Sequence, residues 1–135
     1  MYLRLLSGPG TALVRAALFI LLCLGQGQAR AAGDAVKGKS AFERQCAICH
    51  AVDEGGSNRF GPNLFGILHR KAGTVPGFAY SRAFKTAATW DWNEDLVAGW
   101  IAAPGAMVPG TAMAIFQGVA QSDRDDIVAY LATRQ

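Results

Sequence analysis

Thiols and imidazoles are scarce in this chain. Its 135 residues contain three cysteines and two histidines. A zinc site built from two cysteine pairs lacks its second pair, and His69 is the only histidine outside the segment discussed next. Long apolar runs are missing too. The longest, "AALFILLCLG" from Ala16 to Gly25, falls short of the roughly 20 residues that span a bilayer. With Arg4 and Arg15 around a polar start and Ala29-Arg30-Ala31 behind, it reads as a secretory signal peptide. Cleavage is expected after Ala31, with Ala29 as second choice and an uncleaved anchor as the alternative. Residues 1–31 are thus read as leader and 32–135 as one domain. A lipoprotein reading of Cys23 fails on the bulky Leu22 before it. Basic excess disappears with the leader. Of 13 Lys and Arg, Arg4, Arg15 and Arg30 lie there, so those remaining equal the 10 Asp and Glu. A nucleic-acid role therefore has no electrostatic support. No strand-like run, internal repeat or low-complexity tract is present.

What the domain has is concentrated in "CAICH", Cys46 to His50. The C-x-x-C-H spacing is that of c-type haem attachment. Each thiol can add across one haem vinyl group, and two intervening residues place both sulfurs along one porphyrin edge. The adjoining His50 ring can then ligate the iron from one face. A thioredoxin-like redox pair would need a β-α-β setting, which the pattern lacks. A structural Cys46–Cys49 disulfide is the remaining plain reading. The other axial position decides function. His69, Met107 and Met113 are the candidates. Met113 follows the turn made by Pro109 and Gly110, and Thr111 can hydrogen-bond near a haem edge. Met107 reads as an apolar surface residue and His69 as a solvated loop residue.

The fold class predicted is all-α. Asp34 caps a first helix running to about Cys46, with Phe42 inward. Gly38 within it is unfavourable by roughly 1 kcal/mol against Ala, so close packing is expected there. Residues 51–80 are rich in Gly, Pro and Asn with no sustained period. So long a loop is uncommon in a compact domain unless something else supplies its core. A short helix is expected near Ser81–Thr86. A third starts after Trp92, buries Leu96, Val97, Trp100 and Ile101, and stops before Pro104. Ser122-x-x-Asp125 looks like a capping box opening the last helix. Ile127, Val128, Tyr130 and Leu131 follow at helical spacing, with Ile127 and Tyr130 expected against Gly38 and Phe42.

Several stretches then fall in one order: "GDAVKGKSAFERQCAICH", "GPNLFGILHRKAG", "VPGFAYS", "WNEDL", "VPGTAM" and "DDIVAYL". Through nearly all of Gly33–Thr133 the chain resembles a class I cytochrome c, of the mitochondrial cytochrome c and bacterial cytochrome c2 branch. The resemblance implies the cytochrome c fold: three to five short helices wrapped around one covalently bound haem c. It implies Cys46 and Cys49 as attachment points and His50 and Met113 as axial ligands. Pro62 would accept a hydrogen bond from the His50 ring. Arg70, Tyr80 and Trp92 would contact a haem propionate; "WNEDL" favours Trp92 over its neighbour Trp90. Trp100 departs from the pattern beside Met113, where an indole is not expected to donate as a tyrosine hydroxyl does. Phe84, where mitochondrial members often carry asparagine, should favour ferrous iron.

A haem with both axial positions filled leaves no place for substrate. The expected function is a non-enzymatic single-electron carrier, a soluble periplasmic monomer shuttling between redox proteins, with no small-molecule substrate. A dedicated haem subunit of a dehydrogenase or oxidase complex is the alternative, and a ligand-binding or peroxidatic haem protein is a further one. The neighbourhood of the haem edge, Gln45, Gly105, Ala106, Ala112, Ile115 and Val119, lacks the lysine ring of mitochondrial relatives. An apolar docking face with weak steering is expected.

Overall fold

The computed structural model describes residues 32–135. The leader expected at 1–31 lies outside the described residues. Among the described residues five α-helices and one 3-10 turn follow one another: α1 Ala35–Gln45, α2 Arg82–Ala87, α3 Glu94–Ala102, α4 Pro104–Met107, the 3-10 turn Ala112–Ile115, and α5 Gln121–Ala132. The only β pairing among the described residues is an isolated antiparallel bridge between Lys71 and Asp91.

Local chemistry sets most helix boundaries. The Asp34 carboxylate accepts the Val36 and Lys37 N–H groups at 2.9 and 3.2 Å, closing two of the open donors of α1. Those bonds favour the charged form and lower the Asp34 pKa. Ser81 accepts Phe84 N–H at 3.2 Å and Asn93 accepts Leu96 N–H at 2.8 Å, fixing the starts of α2 and α3. Pro104 ends α3, then serves as the first residue of α4, where its missing N–H is not needed. The last helix differs from expectation. It begins at Gln121 with Ala120 at the cap and no side-chain cap bond. Ser122 therefore sits inside the first turn. The chain arrives pinned by Val119 N–H on Ile101 O at 2.9 Å, and Asp123 and Arg124 N–H both turn back onto Ala120 O. That places the turn ahead of the serine.

The scaffold turns on the contact of α1 with α5. A Cβ on Gly38 would lie 1.8 Å from Asp126 O and 2.9 Å from Tyr130 Cβ. Only glycine lets the backbones approach this closely. Phe42 and Tyr130 meet with ring centroids 5.6 Å apart, and Ile127 is fully buried. The Asp126 carboxylate accepts Asp34 N–H at 2.7 Å, tying the start of α1 to α5.

Residues 46–81 hold their course through backbone partners rather than helix. Asn63, buried, donates to Asp53 O and Gly56 O at 2.9 and 2.7 Å. The C-terminal end clamps the same loop: Arg134 Nε donates to Val52 O at 3.2 Å, and Gly66 N–H donates to Arg134 O at 2.7 Å. His69 is the single non-glycine residue of the described chain with positive φ, at 67°. It is held there because its N–H donates to Trp92 O while Trp92 N–H donates to Arg70 O. A non-glycine side chain in this region stores roughly 1–3 kcal/mol. His69→Gly removes that strain but loosens the unfolded chain by about 0.5–1 kcal/mol. The expected result is a net gain on the order of 1 kcal/mol, read as a higher denaturation midpoint. An unchanged or lower midpoint would refute the strain argument.

Candidate cofactor site

α1 delivers its C-terminal end to the mouth of a cavity of about 260 Å³. Cys46, Cys49 and His50 line it from that side, with Thr111 at the start of the 3-10 turn and Met113 within it. The turn after α1 is compact, with Cys49 and His50 N–H both donating to Cys46 O at 3.0 and 2.9 Å. Cys46 and Cys49 carry free sulfurs, so they do not form the disulfide that the sequence left open. As a free thiol Cys46 is pushed up to about 11, first by burial and then by the neighbouring Cys49. It is a neutral group at ordinary pH, ready for a neutral bond rather than for ion pairing.

His50 is oriented by its surroundings. Its Nδ1 lies 2.8 Å from Pro62 O, and with a carbonyl acceptor that nitrogen carries the proton. Nε2 is then left with its lone pair. Burial lowers the His50 pKa, partly offset by the Pro62 bond, so the neutral ring predominates. Gly61 backs the ring: a Cβ there would lie 2.2 Å from His50 Cε1. Any side chain at 61 would displace the imidazole.

Met113 is half-buried on the opposing segment. The indole of Trp100 donates to its sulfur, Nε1 to Sδ 2.9 Å. The indole, not expected to donate quite as a tyrosine hydroxyl does, thus makes a bond to this sulfur that the sequence had left open. Trp100 sits on α3 with its ring fixed by Phe84 at 5.1 Å and Trp92 at 5.9 Å, which aims Nε1 at the thioether. The other two candidates are elsewhere. Met107 packs against α3, its sulfur facing Gly99 at 3.5 Å from where a Cβ would stand, and does not line the cavity. His69 is exposed on its loop.

Arg70, Tyr80 and Trp92 all line the cavity; Trp90 does not. Arg70 is half-buried, and burial lowers its pKa from the usual value. Its guanidinium donates to Phe65 O at 2.7 Å and Asn63 O at 3.0 Å, yet forms no salt bridge among the described residues. A partly desolvated cation without a carboxylate calls for an anion. Tyr80 hydroxyl accepts Val75 N–H at 3.3 Å, leaving its own O–H to donate elsewhere. Desolvation raises the Tyr80 pKa, so the hydroxyl keeps its proton. Thr111, buried, caps nothing in the 3-10 turn that follows.

The remaining lining is largely apolar: Phe42, Leu64, Ile67, Phe84, Val97 and Leu131 among others. A flat apolar group with an anionic edge toward Arg70 fits this cavity. Two thiols stand ready at its rim, with an imidazole nitrogen and a thioether sulfur at its walls. At the mouth, Phe60 and Ile115 are 88% and 86% exposed although both line the cavity. Ile48, inside the attachment motif, is 78% exposed. Phe60 and Ile48 escaped the sequence reading, because nothing local marks a loop aromatic as facing water. Val119, assigned from sequence to this edge, is instead 5% exposed, drawn into the core by its bond to Ile101 O.

An all-α shell folded around such a cavity, with the attachment motif at the end of its first helix, defines the class of small c-type haem proteins. Residues 35–135 match the family described as Cytochrome c. A cytochrome c from Gibberella zeae is 41% identical over 102 residues, 75% of this chain and 94% of the relative. One from Euglena viridis is 45% identical over 102 residues, 75% of this chain and 97% of the relative. One from Chlamydomonas reinhardtii is 41% identical over 101 residues, 74% of this chain and 88% of the relative. The chain belongs to the cytochrome c family, in its class I branch, and has that family's all-α fold. One covalently bound haem c and the work of an electron carrier come with that membership.

Proposed function

We propose that the cavity holds haem c through thioether bonds from Cys46 and Cys49, with His50 Nε2 and Met113 Sδ as the two axial ligands. The observation that carries this is the meeting of all four side chains on one cavity, with His50 Nδ1 already committed to Pro62 O. The haem supplies a metal that changes charge by one electron. The residues do the rest. Pro62 fixes the imidazole tautomer and raises its donor strength. Trp100 holds Met113 by one sulfur lone pair and leaves another for the metal. Arg70, Tyr80 and Trp92 offer a cation and donors to a propionate, with Thr111 a further donor at the cavity wall. The apolar lining excludes water, so little polar rearrangement accompanies a change of charge. Phe84, buried against Trp100, adds no dipole near the metal and favours the less charged ferrous form.

The test is mass spectrometry of natively matured protein together with acid–acetone extraction. The expected mass is that of the chain from Ala32 plus one haem, with the pigment staying in the protein. Extraction of the pigment into acetone would overturn covalent attachment.

The carrier is exported, as a periplasmic monomer. Support comes from the signal-peptide pattern of residues 1–31, which lies outside the family match. No helix of the described residues is long and apolar enough to cross a membrane. Its partners are an electron donor and an electron acceptor of a respiratory, photosynthetic or methylotrophic type of chain. They dock at the cavity mouth on Phe60, Ala112 and Ile115, with the exposed Ile48 of the attachment motif as a further apolar contact. These side chains carry no charge, and the charges beyond residue 31 balance, so long-range steering is weak. Electron-transfer rate with the native partner should change little from low to high ionic strength. A steep fall would show that charge, not apolar contact, guides the encounter.

A further inference from the structure

The aromatic residues form a continuous run of ring contacts, mostly edge to face. Trp100 touches Met113 Sδ at 2.9 Å and meets Trp92 with centroids 5.9 Å apart. Trp92 meets Trp90 at 5.6 Å. Phe84 sits against all three indoles, at 5.1, 6.5 and 6.2 Å, and stacks on Tyr80 at 5.2 Å. Trp92 and Trp100 are buried and line the cavity; Trp90 is half-buried, outside the cavity, and reaches the surface. Such a run leads from the Met113 sulfur to an indole outside the cavity that Phe60 and Ile115 line.

We propose that Trp100, Trp92 and Trp90 form a second electron exit, used by strong one-electron oxidants of the radical class that strike the Trp90 face. This rests on the reading of the cavity as the haem site. An oxidant radical takes one electron from the Trp90 indole and becomes its closed-shell anion. Trp90 is refilled from Trp92, Trp92 from Trp100, and Trp100 from the reduced haem. One electron is lost by the ferrous form and one is gained by the oxidant; no bond between heavy atoms breaks, and Trp90 and Trp100 keep their protons. The geometry favours this in two ways. Trp90 Nε1 is buried with no hydrogen-bond partner among the described residues, and Trp100 Nε1 faces a sulfur, so neither oxidised indole has a ready proton acceptor. An electron can therefore return without waiting for a proton. A positive charge is also disfavoured at the two buried indoles. They act as brief steps, and the electron deficit rests at the more solvated Trp90.

Pulse radiolysis of the holoprotein tests this, with the dibromide radical anion as the probe; each takes one electron and yields two bromide ions. In ferrous protein the transient indole radical-cation absorption should vanish in a first-order phase independent of protein concentration, in step with haem oxidation in the Soret band. In ferric protein, which has no electron to give, the radical should persist severalfold longer. Trp90→Phe should shrink the intramolecular phase severalfold without altering electron transfer to the native partner. Decay that scales with protein concentration would overturn the proposal. So would an intramolecular phase that Trp90→Phe leaves intact in a variant with an unchanged Soret spectrum. Absence of covalent haem from the mass spectrum would instead remove the haem assignment, a separate failure visible before any radiolysis.

Discussion

Met113→Ala should abolish the far-red absorption band of iron–thioether ligation and lower the reduction potential. The drop should be a substantial share of the roughly 0.8 V range that axial ligands command. A thioether favours ferrous iron, so removing it favours ferric. Trp100 strengthens the expectation, since its N–H withdraws electron density from the same sulfur at 2.9 Å. Met107→Ala is the matched control. Met107 lies off the cavity, and its truncation should leave both band and potential in place. Loss of the band in Met107→Ala, or its survival in Met113→Ala, would reassign the ligand. Optical spectra and a redox titration of the two variants decide between them.

Gly38→Ala carries the largest expected loss of stability. Two effects oppose each other. Alanine is better than glycine inside a helix by roughly 1 kcal/mol. Against that, the new methyl would stand 1.8 Å from Asp126 O, a backbone atom that cannot rotate aside. Overpacking a tight contact costs about 1–3 kcal/mol or more, and here relief requires α1 and α5 to part. Parting them also stretches the Asp34 N–H bond to the Asp126 carboxylate and unpacks Phe42 from Tyr130. Clash should therefore outweigh propensity, leaving a net loss on the order of 2 kcal/mol. Chemical denaturation of the holoprotein measures it. Equal or greater stability would mean that the two helices approach less closely than described.

Helix positions were legible wherever a local side chain makes the boundary. Asp34, Ser81 and Pro104 act on backbone groups within a few residues, so their effect is written in the adjacent sequence. The start of α5 was not legible, because it is decided by Ile101, a residue of a different helix. The same division holds at the site. CAICH carries its meaning in its spacing, and Met113 follows from the family's order of motifs. The donation by Trp100 could not be foreseen. The direction of an indole N–H depends on ring torsions, and those are set by Phe84 and Trp92 across the core. His69 at φ 67° was hidden for the same kind of reason: a tertiary hydrogen bond to Trp92 O imposes it. The exposed rim was half visible, since Ile115 could be placed from the family pattern while Phe60 required the loop's path.

The join of α1 to α5 links the two ends of the folded domain, and α5 is synthesised well after α1. Until Asp126 and Tyr130 have emerged, Gly38 and Phe42 have nothing to lock against. Throughout that interval the pair of sulfurs next to α1 stays on an open strand, reachable by whatever machinery mates it to its pigment.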